Sequence, residues 1–499
     1  MIWREPSILI GINHIPMVET IETSFIISIF GASGDLAKIK IFPSLYALAK
    51  QNRLPKDYLM VGFARTQMSH DEFKKTVRQA VKKYSKLSVD ETILNKMLKH
   101  VFYFSGQYSS LEDFVSYRQF LKDTFTSHCG APLRLQKIPH IAYFSIPPVV
   151  FKDVVKNLGE SRTNKHEDLR LVIEKPFGDC EKSAKALFHF ISQHFHEDQF
   201  YLLDHYLGKA SVQSILNMRQ SNRVLNNIIR GSEIANIQIT AAESVGVGHR
   251  IGYFEQVGIV KDIIQSHLLQ VLALVTMNIP NHRNAASLQR EKGNILEAID
   301  CPCDAPNVVL GQYESYKKAK GVAPKSRTET YAAVRLFLDS QQWYNVPIYL
   351  RTGKRLSKKH TYAVIELKKF PFQGKDEAPN RIVIEFHPEP RIGISLINFQ
   401  EGAQRYQTVS TSASIACNIE GCLPEHGELL LDVLKKERMH FLSFNEILAS
   451  WKIVDRITQN MKEKKIKLNI YKDGSRGPES QHSLPKKDGY TWFDPNEIR

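Results

Sequence analysis

The sequence predicts an α/β domain followed by a larger α+β domain. Three observations carry this prediction. The chain has 499 residues, which is too long for a single hydrophobic core. Its first half has a glycine-rich turn between two short apolar runs, a pattern typical of a doubly wound parallel sheet. Its second half has several alternating runs, which predict a mostly antiparallel sheet.

Residues 1–23 precede the first predicted strand and are interpreted as an N-terminal extension. Their longest apolar run, Ile8–Ile12, is too short for a signal peptide and follows Glu5. The most apolar later stretch, Leu268–Met277, contains Gln270 and is too short to span a bilayer. We therefore expect a cytoplasmic protein with no membrane partner.

The composition is basic, with a formal charge of +15 and a pI of about 9.3. Such a surface either binds anions or is simply solvated, and the densest basic segment, Lys462–Lys467, resembles the polar face of a late helix. No RNA-binding signature or zinc spacing accompanies it, so we expect neither a nucleic-acid partner nor a metal. The six cysteines lack a CxxC pair and are expected to be reduced thiols.

The first predicted strand is Phe25–Phe30, and a second strand-like run is Tyr58–Phe63. Between them lies a turn that opens a helix, where backbone amides can approach a pyrophosphate. A G-x-x-G turn alone is weak evidence, but its place between a strand and a helix favours a dinucleotide site. The turn comprises Gly31, Ala32, Ser33, Gly34, Asp35 and Leu36.

Arg65 follows the second strand, at the position where NAD-binding folds usually carry an acid for the ribose 2′-hydroxyl. A guanidinium suits a 2′-phosphate, so the sequence favours NADP over NAD, although a plain surface arginine is the alternative. A later strand, Leu169–Ile173, leads into Glu174-Lys175-Pro176. Lys175 therefore lies at the carboxyl edge of the sheet, where ligands bind, and is a candidate to contact both cofactor and substrate.

The segment Asp204–Lys209 follows another strand-like run, and Asp204 suits a helix start. A helix would place His205 and Lys209, four residues apart, on one face. Two such groups beside a helix N-terminus could clamp a phosphate. An incidental pair at a helix start is the alternative.

A second candidate segment is the apolar helix predicted from about residue 256 to residue 275, which carries Asp262 and His267. On the helix pattern alone, a buried histidine is more often a hydrogen-bonded core residue than a general base. In an α-helix, residues five apart lie roughly 140° around the axis, so Asp262 would be poorly placed to orient His267. A partner from elsewhere in the chain is expected.

Seven blocks in order resemble the glucose-6-phosphate dehydrogenase family from about Phe25 to about Trp492. They are Gly31–Leu48, Val61–Arg65, Val172–Gly178, Asp204–Lys209, Lys261–Val275, Val346–Leu356 and Gly474–Pro478.

The resemblance implies a Rossmann-like NADP-binding domain over residues 24–205 and a substrate-binding and oligomerisation domain over residues 206–499. It implies oxidation of glucose 6-phosphate at C1 to 6-phosphogluconolactone, the first step of the oxidative pentose phosphate pathway, in a homodimer or a dimer of dimers. His267 is implied as the general base and Asp204 as its orienting partner. Substrate-binding roles are implied for Lys175, His205, Tyr206, Lys209, Glu243, Asp262, Lys354, Lys359 and Lys40, and cofactor contacts for the glycine-rich turn, Arg65 and Lys175.

Some positions depart from the family pattern, namely Ile39, Leu202, Ala210 and Glu329. They leave open a catalytically weak homologue that acts as an NADP- or sugar-phosphate-binding protein. A second alternative is a dehydrogenase of the glucose–fructose oxidoreductase type, which also has a dinucleotide domain with an EKP turn but lacks the lysine-rich clamp.

Overall fold

The structure is a computed structural model. It describes residues 21–130, 132, 137–162, 167–371, 373, 374, 377–400, 405–415, 422–463 and 465–494. Most of the N-terminal extension, residues 1–20, lies outside the described residues, and the interpretation of that segment stays a prediction.

The first sheet is parallel and six-stranded, in the order β3-β2-β1-β4-β5-β6. This is the strand order of a Rossmann-type dinucleotide-binding sheet, so the prediction for the N-terminal half is confirmed. Every residue of the first strand is buried, as expected for a parallel sheet with helices on both faces. The strands are β1 (Phe25–Phe30), β2 (Tyr58–Ala64), β3 (Val101–Ser105), β4 (His140–Phe144), β5 (Leu169–Glu174) and β6 (Phe200–Leu203).

Six α-helices cover this sheet, and a π-helical turn, Ala37–Ile41, precedes the first of them. Side-chain caps define several helix starts: Ser69 and Glu72 form a capping box, and Ser110 accepts from the amide of Asp113. The helices are α1 (Phe42–Lys50), α2 (His70–Tyr84), α3 (Glu91–Leu98), α4 (Leu111–Cys129), α5 (Pro148–Glu160) and α6 (Glu181–Ser192).

The second sheet has ten strands and is mostly antiparallel, which confirms the prediction for the C-terminal half. Its order is β15-β14-β13-β12-β7-β11-β10-β9-β16, with β8 paired to β10, and only the β7–β11 and β9–β16 pairs are parallel. The strands are β7 (Ile234–Ala242), β8 (Ile299–Asp300), β9 (Val308–Tyr313), β10 (Tyr331–Leu338), β11 (Ile348–Gly353), β12 (His360–Leu367), β13 (Arg381–His387), β14 (Arg391–Gln400), β15 (Arg405–Ser414) and β16 (Leu468–Tyr471).

The remaining helices pack beside this sheet and against the first one. A π-helical segment, Val260–Leu268, lies between two of them and is called here the π segment. The helices are α7 (Ala210–Ser221), α8 (Arg223–Ile228), α9 (Ile251–Ile259), α10 (Leu269–Thr276), α11 (Ala285–Glu297), α12 (Glu425–Leu434), α13 (Phe444–Lys462) and α14 (Ser483–Lys486).

One helical run, Ile251–Thr276, is the single described stretch long and apolar enough to cross a membrane by length and composition. The expectation that this region is too short was wrong, because the helical run begins well before Leu268. However, 83% of its most apolar window is buried inside the protein, as in the core helix of a globular domain. Its function in the fold is to carry the π segment through the core.

Late elements return to the N-terminal half. Leu429 and Leu430 of α12 belong to the same buried cluster as the residues of β1 and α1. Arg170 of β5 donates to the carbonyls of Val433 and Leu434 at the end of α12, where cations are favoured by the helix dipole. The two halves are therefore joined by buried contacts, and the predicted boundary at residues 205 and 206 stays a prediction.

The expectation of six reduced thiols was wrong. Cys301 and Cys303 are joined by a disulfide, with their Cα atoms 5.0 Å apart, and Cys422 is disulfide-bonded as well. Cys129 and Cys180 are free thiols, and Cys417 lies outside the described residues.

Candidate active site

The site forms where the carboxyl ends of β5 and β6 meet the π segment. His267 of the π segment points its Nδ1 atom at the carboxylate of Asp204, which directly follows β6, at 2.7 Å from Oδ1 and 3.0 Å from Oδ2. Both side chains are only 1% exposed. The chain therefore brings together two candidate residues that lie 63 positions apart, by fixing one at a sheet edge and the other on a buried helix.

The helix around His267 differs from the one that was expected. Residues Val260–Leu268 form i→i+5 rather than i→i+4 hydrogen bonds, so each turn holds more residues and positions five apart lie closer to one face. The α-helical estimate of the angle between Asp262 and His267 was therefore wrong. Both side chains are buried, at 4% and 1% exposure, yet the ring is held by Asp204 and not by Asp262.

Lys175 connects the end of β5 to the same segment. Its ammonium lies 2.8 Å from Nε2 of His267, 3.1 Å from Oγ of Ser266 and 3.0 Å from the carbonyl of Asp262, three acceptors for three N–H donors. Because the lysine donates to Nε2, the imidazole proton resides on Nδ1 and is donated to Asp204. Sequence reasoning missed Ser266, because a serine in an apolar helix is usually a packing residue.

The segment Asp204–Lys209 is a series of turns, and the helix expected to start at Asp204 begins instead at Ala210. The cause is local: Oδ1 of Asp204 accepts from the amide of Tyr206 at 2.9 Å, which makes an aspartate turn. Gly208 then permits close approach to α12, because a Cβ there would lie 2.8 Å from Leu429. The turn still gathers the three side chains of this segment, His205, Tyr206 and Lys209, for which the resemblance implies substrate binding.

Aromatic stacking orders these side chains. The Tyr206 ring lies parallel to the His267 ring with centroids 4.0 Å apart, and the ammonium of Lys209 lies 3.4 Å from the centroid of the Tyr206 ring. The His205 ring packs edge-on against His267 at 4.8 Å. The turn thus covers the Asp204–His267 pair and presents the ammonium of Lys209 away from it.

A cavity of about 430 Å³ opens beside this turn, and Tyr206 and Lys209 line it. Glu243 also lines it and pairs with Lys354, and Lys359 lies at its wall. Sequence reasoning missed other polar residues of the wall, among them Thr361 near the start of β12, His387 at the end of β13 and Glu425 at the start of α12.

Asp262 lies between two cations at the edge of the site. Its Oδ1 atom is 3.9 Å from the ammonium of Lys175 and 3.6 Å from the guanidinium of Arg250, a half-exposed residue that the sequence did not single out. Lys40 is exposed on the π-helical turn, and none of the hydrogen bonds or ion pairs described for the site reaches it.

Burial sets the protonation of the cluster. Burial lowers the pKa of His267 from its ordinary value, and the charge of Lys175 lowers it further, against the raising effect of Asp204. Burial alone would raise the pKa of Asp204, but the hydrogen bond from His267 and the surrounding cations hold it well below its usual range. Near neutral pH the pair is a carboxylate with a neutral imidazole, which is the state of a general base.

Asp204, His205 and His267 place potential metal-ligand atoms within 4.8 Å of one another. However, both oxygens of Asp204 already accept from His267, and the ammonium of Lys175 occupies the Nε2 side of that ring. A cation placed there would face an existing positive charge. The arrangement is better suited to holding and moving a proton than to holding a metal.

The glycine-rich turn fits a dinucleotide. Gly31 has a left-handed φ of +86°, and a Cβ there would lie 2.1 Å from the carbonyl oxygen of Ser145, so only glycine allows this turn after β1. The turn points the following helix start into the crevice between β1 and β4, where the strand order reverses. Arg65 is exposed at the end of β2, with its guanidinium 5.7 Å from the Tyr108 ring centroid.

Comparisons with known proteins agree along most of the chain. Residues 28–214 match the family model described as "Glucose-6-phosphate dehydrogenase, NAD binding domain", and residues 216–493 match "Glucose-6-phosphate dehydrogenase, C-terminal domain". Glucose-6-phosphate 1-dehydrogenase of Chlamydia muridarum is 32% identical over 93% of this chain and 96% of its own length. The enzyme of that name from Bacillus subtilis is 33% identical over 94% of this chain and 98% of its own. A solved glucose-6-phosphate dehydrogenase in complex with glucose 6-phosphate superimposes with a TM-score of 0.88 at 29% identity, covering 96% of this chain and all of the other.

Proposed function

The chain belongs to the glucose-6-phosphate dehydrogenase family, and from this premise we propose how its residues perform the reaction. It is an NADP-dependent oxidoreductase that oxidises glucose 6-phosphate at C1 to 6-phosphogluconolactone, the first step of the oxidative pentose phosphate pathway. One observation carries the assignment of roles: the buried Asp204–His267–Lys175 network opens beside a cavity whose wall presents lysines.

His267 acts as the general base at Nε2. Asp204 holds the imidazole with its proton on Nδ1, so the Nε2 lone pair is available once the C1 hydroxyl replaces Lys175 as its donor. Asp204 also stabilises the imidazolium that forms when the ring takes the hydroxyl proton. The glycine-rich turn would hold NADP, which would supply the acceptor for the C1 hydride. Lys175 then lies beside both the base and the developing C1 carbonyl.

The phosphate is bound by the side chains that line the far wall of the cavity. Lys209, held over Tyr206, and Lys359 offer charge to a dianion, and His205 flanks them. Glu243 and Asp262 accept from sugar hydroxyls, and Lys354 holds Glu243 in place. Lys40 would contribute at the cofactor side of the cleft. These assignments agree with the chemistry of the ligand, because lysines offer positive charge to the phosphate and carboxylates accept hydrogen bonds from sugar hydroxyls.

The cofactor is contacted by Gly31, Ala32, Ser33, Gly34, Asp35 and Leu36, with Lys175 on the nicotinamide side and Arg65 on the adenosine 2′-phosphate. The proposed contact of Arg65 with the 2′-phosphate is supported by the exposure of this side chain at the end of β2, the strand beside the glycine-rich turn. We further propose that residues 24–205 form the cofactor domain and 206–499 the substrate and oligomerisation domain. Because the chain belongs to this family, we also propose that it forms a cytoplasmic homodimer or a dimer of dimers.

The decisive experiment measures reduction of NADP, and separately of NAD, by purified protein with glucose 6-phosphate, at the absorbance band of the reduced nicotinamide. Unphosphorylated glucose serves as the competing substrate that a sugar oxidoreductase without a phosphate clamp would accept. His267→Asn is expected to lower turnover by roughly 10²- to 10⁴-fold while NADP still binds. Near-normal turnover in that variant, or equal rates with free glucose, would reject the proposed roles.

A further inference from the structure

The π segment begins at a break in the helical run. Gly258 adopts φ +68° and ψ 174° within α9, a conformation that interrupts the helix one turn before Asp262. A Cβ at Gly258 would lie 2.2 Å from a carboxylate oxygen of Glu329, so this glycine makes room for that carboxylate. Glu329 precedes β10 and is only 5% exposed. A buried acid therefore occupies the break that sets where the π segment starts.

Glu329 binds the first amides of this segment. Its Oε1 atom accepts from the amide of Val260 at 3.2 Å, and its main-chain carbonyl accepts from the amide of Ile259 at 3.0 Å. The amides of Ile259 and Val260 lie at the start of the π segment, where no earlier carbonyl of the helix is in position to accept hydrogen bonds from them. The side chain thus serves as an N-terminal cap from another part of the chain.

The same residue is tied to a proposed substrate lysine. The carbonyl of Thr330, the next residue, accepts from the amide of Lys354 at 2.9 Å. The hydroxyl of Tyr471 donates to the carbonyls of both Thr330 and Lys354, at 3.1 and 2.7 Å. Lys354 in turn pairs with Glu243 at the cavity. The Glu329–Thr330 pair therefore connects the start of the helix that carries His267 to the backbone that carries Lys354.

We propose that Glu329 is a positioning residue: its ionised carboxylate caps the π segment and fixes the placement of Asp262 and His267 against Lys354. It touches neither substrate nor cofactor and acts through the helix that it caps. The inference rests on the proposed function of that helix. If Glu329 acts as this cap, kcat depends on the charge of its side chain as well as on the shape of that side chain.

The surroundings of Glu329 place its titration in the working pH range. Burial raises the pKa of Glu329 to about 7, against the lowering effects of main-chain amides and of Lys261. Glu255 of α9, Lys261 of the π segment, Arg327 on its own strand approach and Lys462 of α13 line the same cavity. Tyr316 also faces it and donates to Glu255 at 2.6 Å. One acid and three cations thus surround the carboxyl of Glu329, and burial has the largest effect on its pKa.

The test compares Glu329→Gln with the wild-type enzyme across about pH 6 to about pH 8.5, using NADP reduction by glucose 6-phosphate. Glutamine keeps the shape and the acceptor oxygen but is neutral at every pH. We expect the ratio of wild-type to variant kcat to rise from near one at the acid end to roughly 3- to 10-fold at the alkaline end, the effect of a charge at a helix start. The KM for glucose 6-phosphate is expected to change less than kcat.

Three comparisons keep the result interpretable. Glu255→Gln removes the neighbouring acid and should give a ratio that is flat with pH. Glu329→Asp retains the charge with a shorter reach and should retain the rising pH profile of kcat even if its absolute turnover is lower. The melting temperature of Glu329→Gln should exceed that of the wild type at the alkaline end, because the wild type must then keep a buried charge.

A flat ratio for Glu329→Gln, or a pH profile of Glu329→Asp that matches that of the glutamine variant, would overturn the inference. A lower melting temperature with unchanged kcat would assign Glu329 a structural role only, and so would also overturn it. If the wild-type enzyme itself shows no turnover, the proposed function fails, which is distinguishable from failure of the cap.

Discussion

Replacing Asp204 by Asn isolates the contribution of the carboxylate to the base. In the structure, Oδ1 of Asp204 accepts from the amide of Tyr206 and lies 2.7 Å from Nδ1 of His267, while Oδ2 lies 3.0 Å from the same nitrogen. The asparagine oxygen is expected to keep the Oδ1 position, so the new NH₂ group takes the place of Oδ2. Asparagine therefore removes the negative charge that stabilises the imidazolium, and its N–H donor beside Nδ1 weakens the preference for the tautomer with the proton on Nδ1.

The expected decrease in kcat follows from the charged hydrogen bond that the Asp204→Asn substitution removes. A hydrogen bond to a charged group contributes about 1.5 to 3 kcal/mol, and a buried polar group left without its partner costs about 1 to 3 kcal/mol. A loss of roughly 3 to 5 kcal/mol in the transition state corresponds to a kcat lowered by roughly 10²- to 10⁴-fold. The KM for glucose 6-phosphate should stay within about threefold, because Asp204 lies beneath His267 and is absent from the cavity wall.

The assay is initial-rate NADP reduction over a pH series, with the melting temperature measured on the same samples. The chain offers a matched control in Asp432, which pairs with Nδ1 of His440 at 2.7 Å away from the site, so Asp432→Asn should leave kcat unchanged. A kcat of Asp204→Asn within about threefold of the wild type, in a folded sample, would refute the role of the carboxylate. An increase in KM without loss of kcat would show that Asp204 serves binding instead.

Further predictions test binding, cofactor choice, pH and stability. Lys209→Met should raise the KM for glucose 6-phosphate at least about tenfold in steady-state assays, since it removes a charge-assisted phosphate contact of roughly 1.5 to 3 kcal/mol; an unchanged KM would place the phosphate elsewhere. Arg65→Ala should raise the KM for NADP and leave that for NAD nearly unchanged, and equal effects on both would contradict the 2′-phosphate contact. In the Glu329→Gln variant, where the titration of Glu329 cannot overlap, the acid limb of the kcat/KM profile should lie below pH 6.5, the ordinary histidine value, because burial lowers the pKa of His267; a limb above that value would mean that Asp204 dominates. Lys292→Met should lower the melting temperature by leaving Glu446, its ion-pair partner at 2.7 Å, buried and unpaired; a melting curve unchanged from that of the wild type would exclude this.

The strands were predictable because their signals are local. Phe25–Phe30 has the predicted bounds, and the predicted runs Tyr58–Phe63 and Leu169–Ile173 each extend by one residue at the carboxyl end. Buried parallel strands are uniformly apolar and exposed turns interrupt them, so hydrophobicity alone marks them. The order of the strands within each sheet could not be predicted from hydrophobicity, because it depends on contacts between residues that are distant in sequence.

The helical details were not predictable because tertiary contacts decide them. Asp204 was expected to begin a helix, but its carboxylate binds the Tyr206 amide and His267, and the helix starts only at Ala210. The i→i+5 geometry of the π segment has no propensity signal either. The π segment begins two residues after the break at Gly258, which the Glu329 side chain fills, and Gly258 and Glu329 lie 71 positions apart.

The site therefore depends on two kinds of information. Residue types such as His267, Lys175 and Lys209 state which chemistry is available, and a family resemblance assigns it, but their distances come from the way β5, β6 and the π segment meet. Burial distinguishes this pair from a second Asp–His pair: Asp432 and His440 lie at the same 2.7 Å separation but have side chains 18% and 28% exposed. Exclusion of water around Asp204 and His267 strengthens each charge interaction in the site. The proposed role of His267 as a base accordingly depends on the buried junction, so substitutions that admit water at Tyr206 or Lys175 should lower turnover without altering either member of the pair.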